Sequence, residues 1–532
     1  QSLLASMADR LSQLLNFFEK NDQQALRYGF FLAVALRCVL STFPYSGETH
    51  APMYGDFEAQ RHWMEITTGL PVLEWYEQGP QNDLQYWGLD YPPLTAFHSW
   101  LLGKLGHLAV PDCFALVKSH GYESQACRAF MRSSVILSDL FVYFPGCLLA
   151  VWGFSQEAEK LPHRALAVVI LWLLPPLLVI DHGHFQFNGV CFGLCLGAAG
   201  LVARGRRLSA SVLFTAGLLF KQIALYYAPA IFFGILAVCL QESKSVFGFL
   251  SNVATTGLVV LSTTAVLFSP WLLSPMPVAS CLQVIHRMFP FARGLYEDKV
   301  ANVWCTISIV FKLTKFVPAS KIPLVCASST LIALLPSNLC CLRKQRGPED
   351  TAPTFAGALF TSSFAFFLFG FQVHEKSVLF PYIASFLLPL ALGPKRRPPW
   401  LAALYCNFTI VCLFSMYPLL TKDHLHVPYA IGMLLLTYLF EQLPRPPMVL
   451  QLACRLFIAV AAAIHLLHAL ISPPDKYPDA WIMLFTGVSC CYFVVAFLAV
   501  SALQLIGWHR LERRQQGGGG GGGGGASKTK KS

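Results

Sequence analysis

The chain has 532 residues, of which 55% are hydrophobic and only 13% charged, and its formal net charge is +11. A soluble domain carries roughly twice that charged fraction, so a soluble globular protein is excluded and an integral membrane protein is implied. The excess Lys and Arg fall mostly in short clusters between apolar runs, as in cytosolic loops, and not in the continuous basic surface that would bind nucleic acid.

No cleavable signal peptide is visible, and numbering from Gln1 leaves room for residues upstream. Apolar runs begin near Tyr28, Ser133, Arg164, Gly189, Leu208, Ile223, Leu250, Val300, Ile322, Ala352, Ser377, Pro399, Val427, Met448 and Trp481. Several fall short of the roughly 20 residues that a straight span needs. Charge sets their direction. Basic clusters at Arg204–Arg207, Arg343–Arg346, Lys395–Arg397 and Arg510–Arg514 are placed in the cytosol. The polar stretches from Pro44 to Arg132 and from Ser274 to Lys299 then face the other side. An odd number of crossings must separate Lys299 from Arg343, so one of the runs from Val300 and Ile322 does not cross. The expected fold is an all-α polytopic membrane protein with about 14 transmembrane helices and both termini cytosolic.

Six polar motifs interrupt this pattern. In chain order they are GDFEAQRHW (Gly55–Trp63), LQYWGLDYPPL (Leu84–Leu94), DHGHFQFNG (Asp181–Gly189), FKQ (Phe220–Gln222), RMFPFARGLYEDKVANVW (Arg287–Trp304) and FQVHEKS (Phe371–Ser377). The charge-based topology puts all six on the non-cytosolic face, which points to one active face. Together they supply carboxylates, imidazoles, cations and interleaved aromatic rings. Aromatics beside carboxylates suit sugars, and cations beside a membrane suit the phosphate of a lipid-linked donor. There is no Walker loop, no G-x-G-x-x-G after a strand and no HExxH. A membrane transferase with a lipid-phosphate donor is favoured over a nucleotide-dependent enzyme. The 17 cysteines show no zinc spacing, and Cys113 and Cys127 share one polar loop where they can pair if it lies outside the cytosol.

The stretches MYGDFEAQRHW, LQYWGLDYPPLTAFHSW, DHGHFQFNG and FQVHEKSVL closely resemble the dolichyl-phosphate-glucose-dependent glucosyltransferases of the endoplasmic reticulum. The resemblance covers about residues 28 to 510 and is to the members that add the first glucose to the lipid-linked high-mannose oligosaccharide. It implies a GT-C fold, with luminal loop helices forming the site. It also implies inverting transfer from dolichyl phosphate glucose to a terminal mannose, an α-1,3 product, and no nucleotide sugar. The acidic DFE stretch invites a divalent metal, but dolichyl phosphate is already a good leaving group whose charge Arg, Lys and His can meet, so no cofactor or required metal is expected. The implied partners are the dolichyl phosphate glucose donor, the lipid-linked oligosaccharide acceptor and membrane lipids, with no nucleic acid. The chain then divides into a cytosolic segment (1–27), a catalytic transmembrane module (28–300) with luminal loops at 44–132 and 274–299, a further transmembrane module (301–509) with a luminal loop at 371–376, and a cytosolic Gly-rich basic tail (510–532). Lys528 and Lys530 in that tail resemble a dilysine retrieval signal.

Inverting transfer needs one base for the attacking hydroxyl and cations for the leaving phosphate. Asp56 is assigned as the base, against the alternative that it caps the helix that follows. Glu58 and Arg61 are read as an orienting pair three residues apart, with His62 beside them. His374, Lys376 and Arg293 are assigned to the donor phosphate, with Arg287 a weaker candidate. Trp87, Asp90, Tyr91, His182, His184 and Lys221 are expected to bind or orient substrate, and Asp90 with its two prolines also to fix a rigid turn and cap the next helix. Arg37 and Asp139, inside two spans, are expected to form a structural salt bridge, and the glycosylation sequon at Asn407 to be buried and unused. The alternatives are the sibling enzyme that adds the second glucose, and a lipid or solute transporter; a transporter would show matching halves and a midplane site, which are not seen.

Overall fold

The computed structural model describes residues 22–155, 161–289, 299–309, 311, 313–343 and 348–508. Arg293, Glu297, Asp298 and the dilysine tail lie outside the described residues. Among the described residues the secondary structure is helical, apart from one isolated bridge between Gly79 and Asn82. This follows from the solvent: a backbone in hydrocarbon must satisfy its own hydrogen bonds, and a long apolar run does so as a helix.

Every predicted run except the one from Val300 lies in a helix of 14 residues or more. Among the described residues, eight helices are long and apolar enough to cross a bilayer: Gln125–Phe154, Arg164–Phe185, Val246–Leu267, Ala319–Leu342, Asp350–Phe369, Glu375–Gly393, Met448–Leu470 and Ala480–Ile506. The expected count of about 14 spans exceeds this because several runs are short; Asn188–Ala203, Arg207–Phe220, Ala228–Glu242 and Leu401–Ser415 are apolar but have at most 17 residues. The Val300 run forms only the five-residue helix Val303–Ile307, whose first turn is capped by the Asn302 side chain. A single long helix, Ala319–Leu342, therefore separates Lys299 from Arg343.

The short helices position the site. Asn188–Ala203 and Arg207–Phe220 are joined through Arg204 and Arg206, whose charges belong at a membrane surface. A helix of 14 residues rises only about 21 Å, against a hydrocarbon core of about 30 Å. Their far ends, at Asn188 and Phe220, lie side by side, with Lys221 donating to Asn188 Oδ1 at 2.6 Å.

Packing around these helices is close. Helix Gln125–Phe154 meets Asn188–Ala203 through glycines spaced by seven, Gly146 and Gly153 on one and Gly193 and Gly200 on the other. A Cβ at Gly146 would lie 2.1 Å from the Gly193 carbonyl oxygen, and one at Gly153 would lie 2.3 Å from Gly200 Cα. The backbones touch, as small residues permit where helix association rests on van der Waals contact. Beside this seam Arg37 donates from Nε to Asp139 Oδ2 at 2.8 Å, and both side chains are buried. His182 Nε2 shares the same oxygen at 3.0 Å. Arg37 also donates to the carbonyls of Ala33 and Trp172. A buried ion pair balances its desolvation cost only with such extra bonds.

The polar loop after the first helix folds onto these spans. It carries helices Gly55–Gly69 and Pro93–Ala109 and a disulfide between Cys113 and Cys127. The cap expected from Asp90 is not formed. Pro92 occupies the cap position and Pro93 the first helical position, where a missing N–H costs nothing. Asn407 is fully buried within helix Leu401–Ser415, so its sequon is sealed from solvent.

Candidate active site

Helix Gly55–Gly69 begins after Tyr54, whose backbone is left-handed, and Asp56 stands in its first turn. The N-cap residue Tyr54 makes no side-chain cap bond, and Ser46 Oγ accepts from the Asp56 N–H at 3.4 Å. The Asp56 carboxylate turns to three donors from two other segments. Its Oδ2 lies 2.9 Å from His184 Nε2, accepts from Gln186 Nε2 at 2.6 Å, and is hydrogen-bonded by the Lys376 ammonium. Lys376 Nζ is also 3.0 Å from His184 Nε2. No described residue hydrogen-bonds Oδ1, and the side chain keeps 25% of its exposure. One oxygen is thus held and the other open. Burial pushes the Asp56 carboxyl up, but the Lys376 charge and the His184 hydrogen bond outweigh it and hold the group well below the usual carboxylate range.

Each partner is itself supported. His184 and Gln186 follow from a π-helical turn at Val179–Phe185, an irregularity common at functional sites. His184 Nδ1 meets Asp423 Oδ2, from the end of helix Tyr417–Lys422. Lys221 donates to Gln186 Oε1 at 3.2 Å and to Asn188 Oδ1 at 2.6 Å, with its ammonium 5.0 Å above the Tyr91 ring. Asn188 in turn donates to Asp181. Lys376 is set by a short turn in which the His374 ring accepts from the Lys376 N–H, while Ser377 Oγ accepts from the His374 N–H.

These residues come from four of the six motifs, and a fifth adds the Tyr91 ring. A carboxylate with one open oxygen, beside a lysine, at the end of short membrane helices, can take a proton from a hydroxyl while the cation meets a phosphate. A family model described as the ALG6, ALG8 glycosyltransferase family matches residues 33–500. The chain belongs to this family.

Curated relatives of the ALG6, ALG8 family agree over nearly their full length. A Drosophila melanogaster protein named "Probable dolichyl pyrophosphate Man9GlcNAc2 alpha-1,3-glucosyltransferase" is 39% identical over 88% of this chain and 96% of its own. The Saccharomyces cerevisiae "Dolichyl pyrophosphate Man9GlcNAc2 alpha-1,3-glucosyltransferase" is 37% identical over 88% of this chain and 89% of its own. Among solved structures, ArnT from Cupriavidus metallidurans, crystallised with undecaprenyl phosphate, aligns at 14% identity and a TM-score of 0.37 over 90% of this chain and 77% of that one.

Other residues expected at the site of this family member make contacts of their own. Arg61 grips Glu58 with two bonds of 2.6 Å, as an orienting pair would, and both are buried. Glu58 also accepts from Tyr86 Oη and the Gly121 N–H, so it ties the loop together away from Asp56. His62 packs at Glu65, not at the Asp56 carboxylate, and His182 belongs to the Arg37–Asp139 cluster. Trp87 accepts from Trp63 Nε1 through its carbonyl and donates to the Met53 carbonyl. The Asp90 carbonyl accepts from Gln222. Arg287 holds the carbonyls of Gly88 and Leu89. The residues that sequence reading did not assign are Gln186, Asn188 and Asp423. The first two lie inside a quoted motif, whereas Asp423 is a single acid between two apolar helices with no local signal.

Among the described residues, His62, Glu65 and His120 bring three ligand atoms within 4.8 Å of one another. Glu65 already accepts from Arg61 at 2.7 Å, Ser119 at 3.0 Å and the Val117 N–H at 2.6 Å, and the guanidinium opposes a further cation there. Asp56 and Glu58 likewise serve different cations, Lys376 and Arg61, and do not converge as a metal pair.

Burial pushes Glu65 up, but the His62 hydrogen bond and the Arg61 charge bring its carboxyl down to about 2. A depressed acid stabilises the fold above its unfolded value and loses that contribution as pH falls through the folded one. A drop from 4.5 to about 2 corresponds to roughly 3 kcal/mol at neutral pH. Glu65→Gln is therefore expected to melt lower than the parent at pH 7, with the gap narrowing between about pH 5 and pH 3. Paired thermal melts across that range check this, and a gap independent of pH contradicts it.

Proposed function

We propose that this glycosyltransferase moves glucose from dolichyl phosphate glucose to a terminal mannose of the dolichyl-diphosphate-linked high-mannose oligosaccharide. The product is an α-1,3 bond formed with inversion, in a GT-C fold whose active site faces the lumen of the endoplasmic reticulum while both termini stay cytosolic. The observation that carries this reading is the open Oδ1 of Asp56 beside Lys376. The relatives' names support the acceptor and the linkage. The motif resemblance supports the donor, and the basic clusters support the sidedness.

The chemistry needs one displacement. The acceptor hydroxyl oxygen bonds to glucose C1 as the bond from C1 to the phosphate oxygen breaks. The hydroxyl proton passes to Asp56 Oδ1, and the electron pair leaves with dolichyl phosphate. Attack opposite the leaving group inverts C1. Lys376 meets the charge growing on the phosphate, an interaction that strengthens in the transition state. His374 and Arg293 are proposed as further phosphate contacts. Lys221 and Gln186 keep Asp56 in place, and Trp87, Asp90 and Tyr91 line the approach for sugar.

The test is reconstitution. Purified protein in lipid nanodiscs receives labelled dolichyl phosphate glucose and an acceptor ending in Man9GlcNAc2, without nucleotide. One glucose per acceptor is expected, and no extension of an acceptor that already carries one. Extension of the glucosylated acceptor alone would assign the chain to the second-glucose reaction instead. Dependence on a nucleotide sugar would sink the proposal.

A further inference from the structure

Asp423 lies outside every motif, yet it holds Nδ1 of the imidazole nearest the base. His184 stands between two carboxylates, with Nε2 at 2.9 Å from Asp56 Oδ2 and Nδ1 on Asp423 Oδ2. Both His184 and Asp423 are nearly sealed from solvent, at 3% and 5% exposure. The contact is built from both sides. On one, the His184 carbonyl accepts from the Ser46 N–H at 2.9 Å, and Arg132 holds the carbonyls of His182 and Gly183. On the other, helix Tyr417–Lys422 ends at Asp423, and Leu425 folds back to donate to the Leu420 carbonyl at 3.0 Å. Gly183 faces Leu425, and a Cβ there would lie 3.1 Å from Leu425 Cδ1. A side chain at that position would require Leu425 to give by a few tenths of an ångström.

We propose that Asp423 is a positioning residue for glucosyl transfer, holding the His184 Nδ1–H so that Nε2 stays on Asp56 Oδ2 and Oδ1 is left to the acceptor. This rests on Asp56 being the base. An ionised carboxylate only accepts hydrogen bonds, so between Asp423 and Asp56 both ring nitrogens must carry a proton, and the ring cannot flip without losing the Nδ1 bond. With His184 fixed, Gln186 and Lys376 complete a three-way grip on Oδ2, and the carboxylate cannot rotate. Without Asp423 the imidazole can turn or change tautomer, and the base drifts from the hydroxyl it must meet. A misplacement of about 1 Å costs on the order of 10²-fold in rate.

The experiment compares Asp423→Asn with the parent enzyme in the transfer assay, alone and combined with His184→Gln. The expected loss is about 10²-fold in kcat, with the KM for dolichyl phosphate glucose within about threefold. If Asp423 acts through His184, adding its substitution to His184→Gln costs little more. Unchanged kcat, a loss confined to KM, or a full second loss in the double variant would each overturn the proposal. If Asp423→Asn does not fold, ¹⁵N-histidine spectra of the unsubstituted enzyme decide, with the His184 signal assigned by its absence in His184→Gln. A protonated Nδ1 sustains the proposal and an unprotonated one overturns it. The base reading fails separately: active Asp56→Asn removes it, whereas dead Asp56→Asn beside fully active Asp423→Asn removes only the role of Asp423.

Discussion

Asp56→Asn is expected to lower turnover by at least about 10²-fold and up to 10⁴-fold, the range a positioned general base supplies. The amide oxygen can still accept from His184, Gln186 and Lys376, so the side chain keeps its place. It cannot take up the hydroxyl proton. A capping role would be nearly insensitive to this change, because Asn caps about as well as Asp, and the side chain bonded to the first turn is that of Ser46, not Asp56. Turnover with synthetic donor and acceptor, beside a thermal melt, separates the two. Glu58→Gln is the control. Its partners are Arg61, Tyr86 and the Gly121 N–H, so it should cost stability before it costs chemistry. Loss of turnover in Glu58→Gln with a normal melt, and none in Asp56→Asn, would move the base two residues along the helix.

Lys376→Met should be nearly as damaging, by about 10²–10³-fold, the cost of removing one donor aimed at developing charge. The cation has two roles that compete. In the unliganded site it neutralises Asp56 and keeps that carboxyl a weak base. A donor phosphate offers it a second anion, and any share of the ammonium given to the phosphate makes Asp56 more basic. The sign of the pH effect follows. Lys376 lowers the Asp56 value, so its removal raises it, and the acid limb of kcat/KM should move to higher pH. An acid limb that stays put or moves lower, with the protein folded, would show that the two groups do not interact in the working enzyme. His374→Ala is expected to act in the same direction but less strongly, since its ring Nδ1 serves the turn that presents Lys376.

The membrane class, the helices and the general location of the site could be read from the sequence because they rest on local patterns. Apolar runs must become helices in hydrocarbon. The span count was harder to read. Helices such as Arg207–Phe220 are apolar but too short to cross straight, and the Val300 run holds only the five-residue helix Val303–Ile307. Asp56, Lys376, His184 and Lys221 were found because each sits in a dense polar motif within a greasy chain. His62 and His182 carry the same signal but are spent on Glu65 and on the Arg37–Asp139 pair, contacts that only the fold reveals. Asp423 is the opposite case. It reaches the site across 239 residues of sequence separation from His184, and no local pattern announces it.

The account stands most directly on where the donor sits, and a structure of the enzyme with dolichyl phosphate glucose measures that. It predicts a phosphate oxygen within about 3 Å of Lys376 Nζ, a hydrogen-bonding distance. It also predicts glucose C1 facing Asp56 Oδ1 across a gap that admits one hydroxyl oxygen within proton-transfer reach. A phosphate held away from Lys376, or a glucose whose C1 faces away from Asp56, would contradict it.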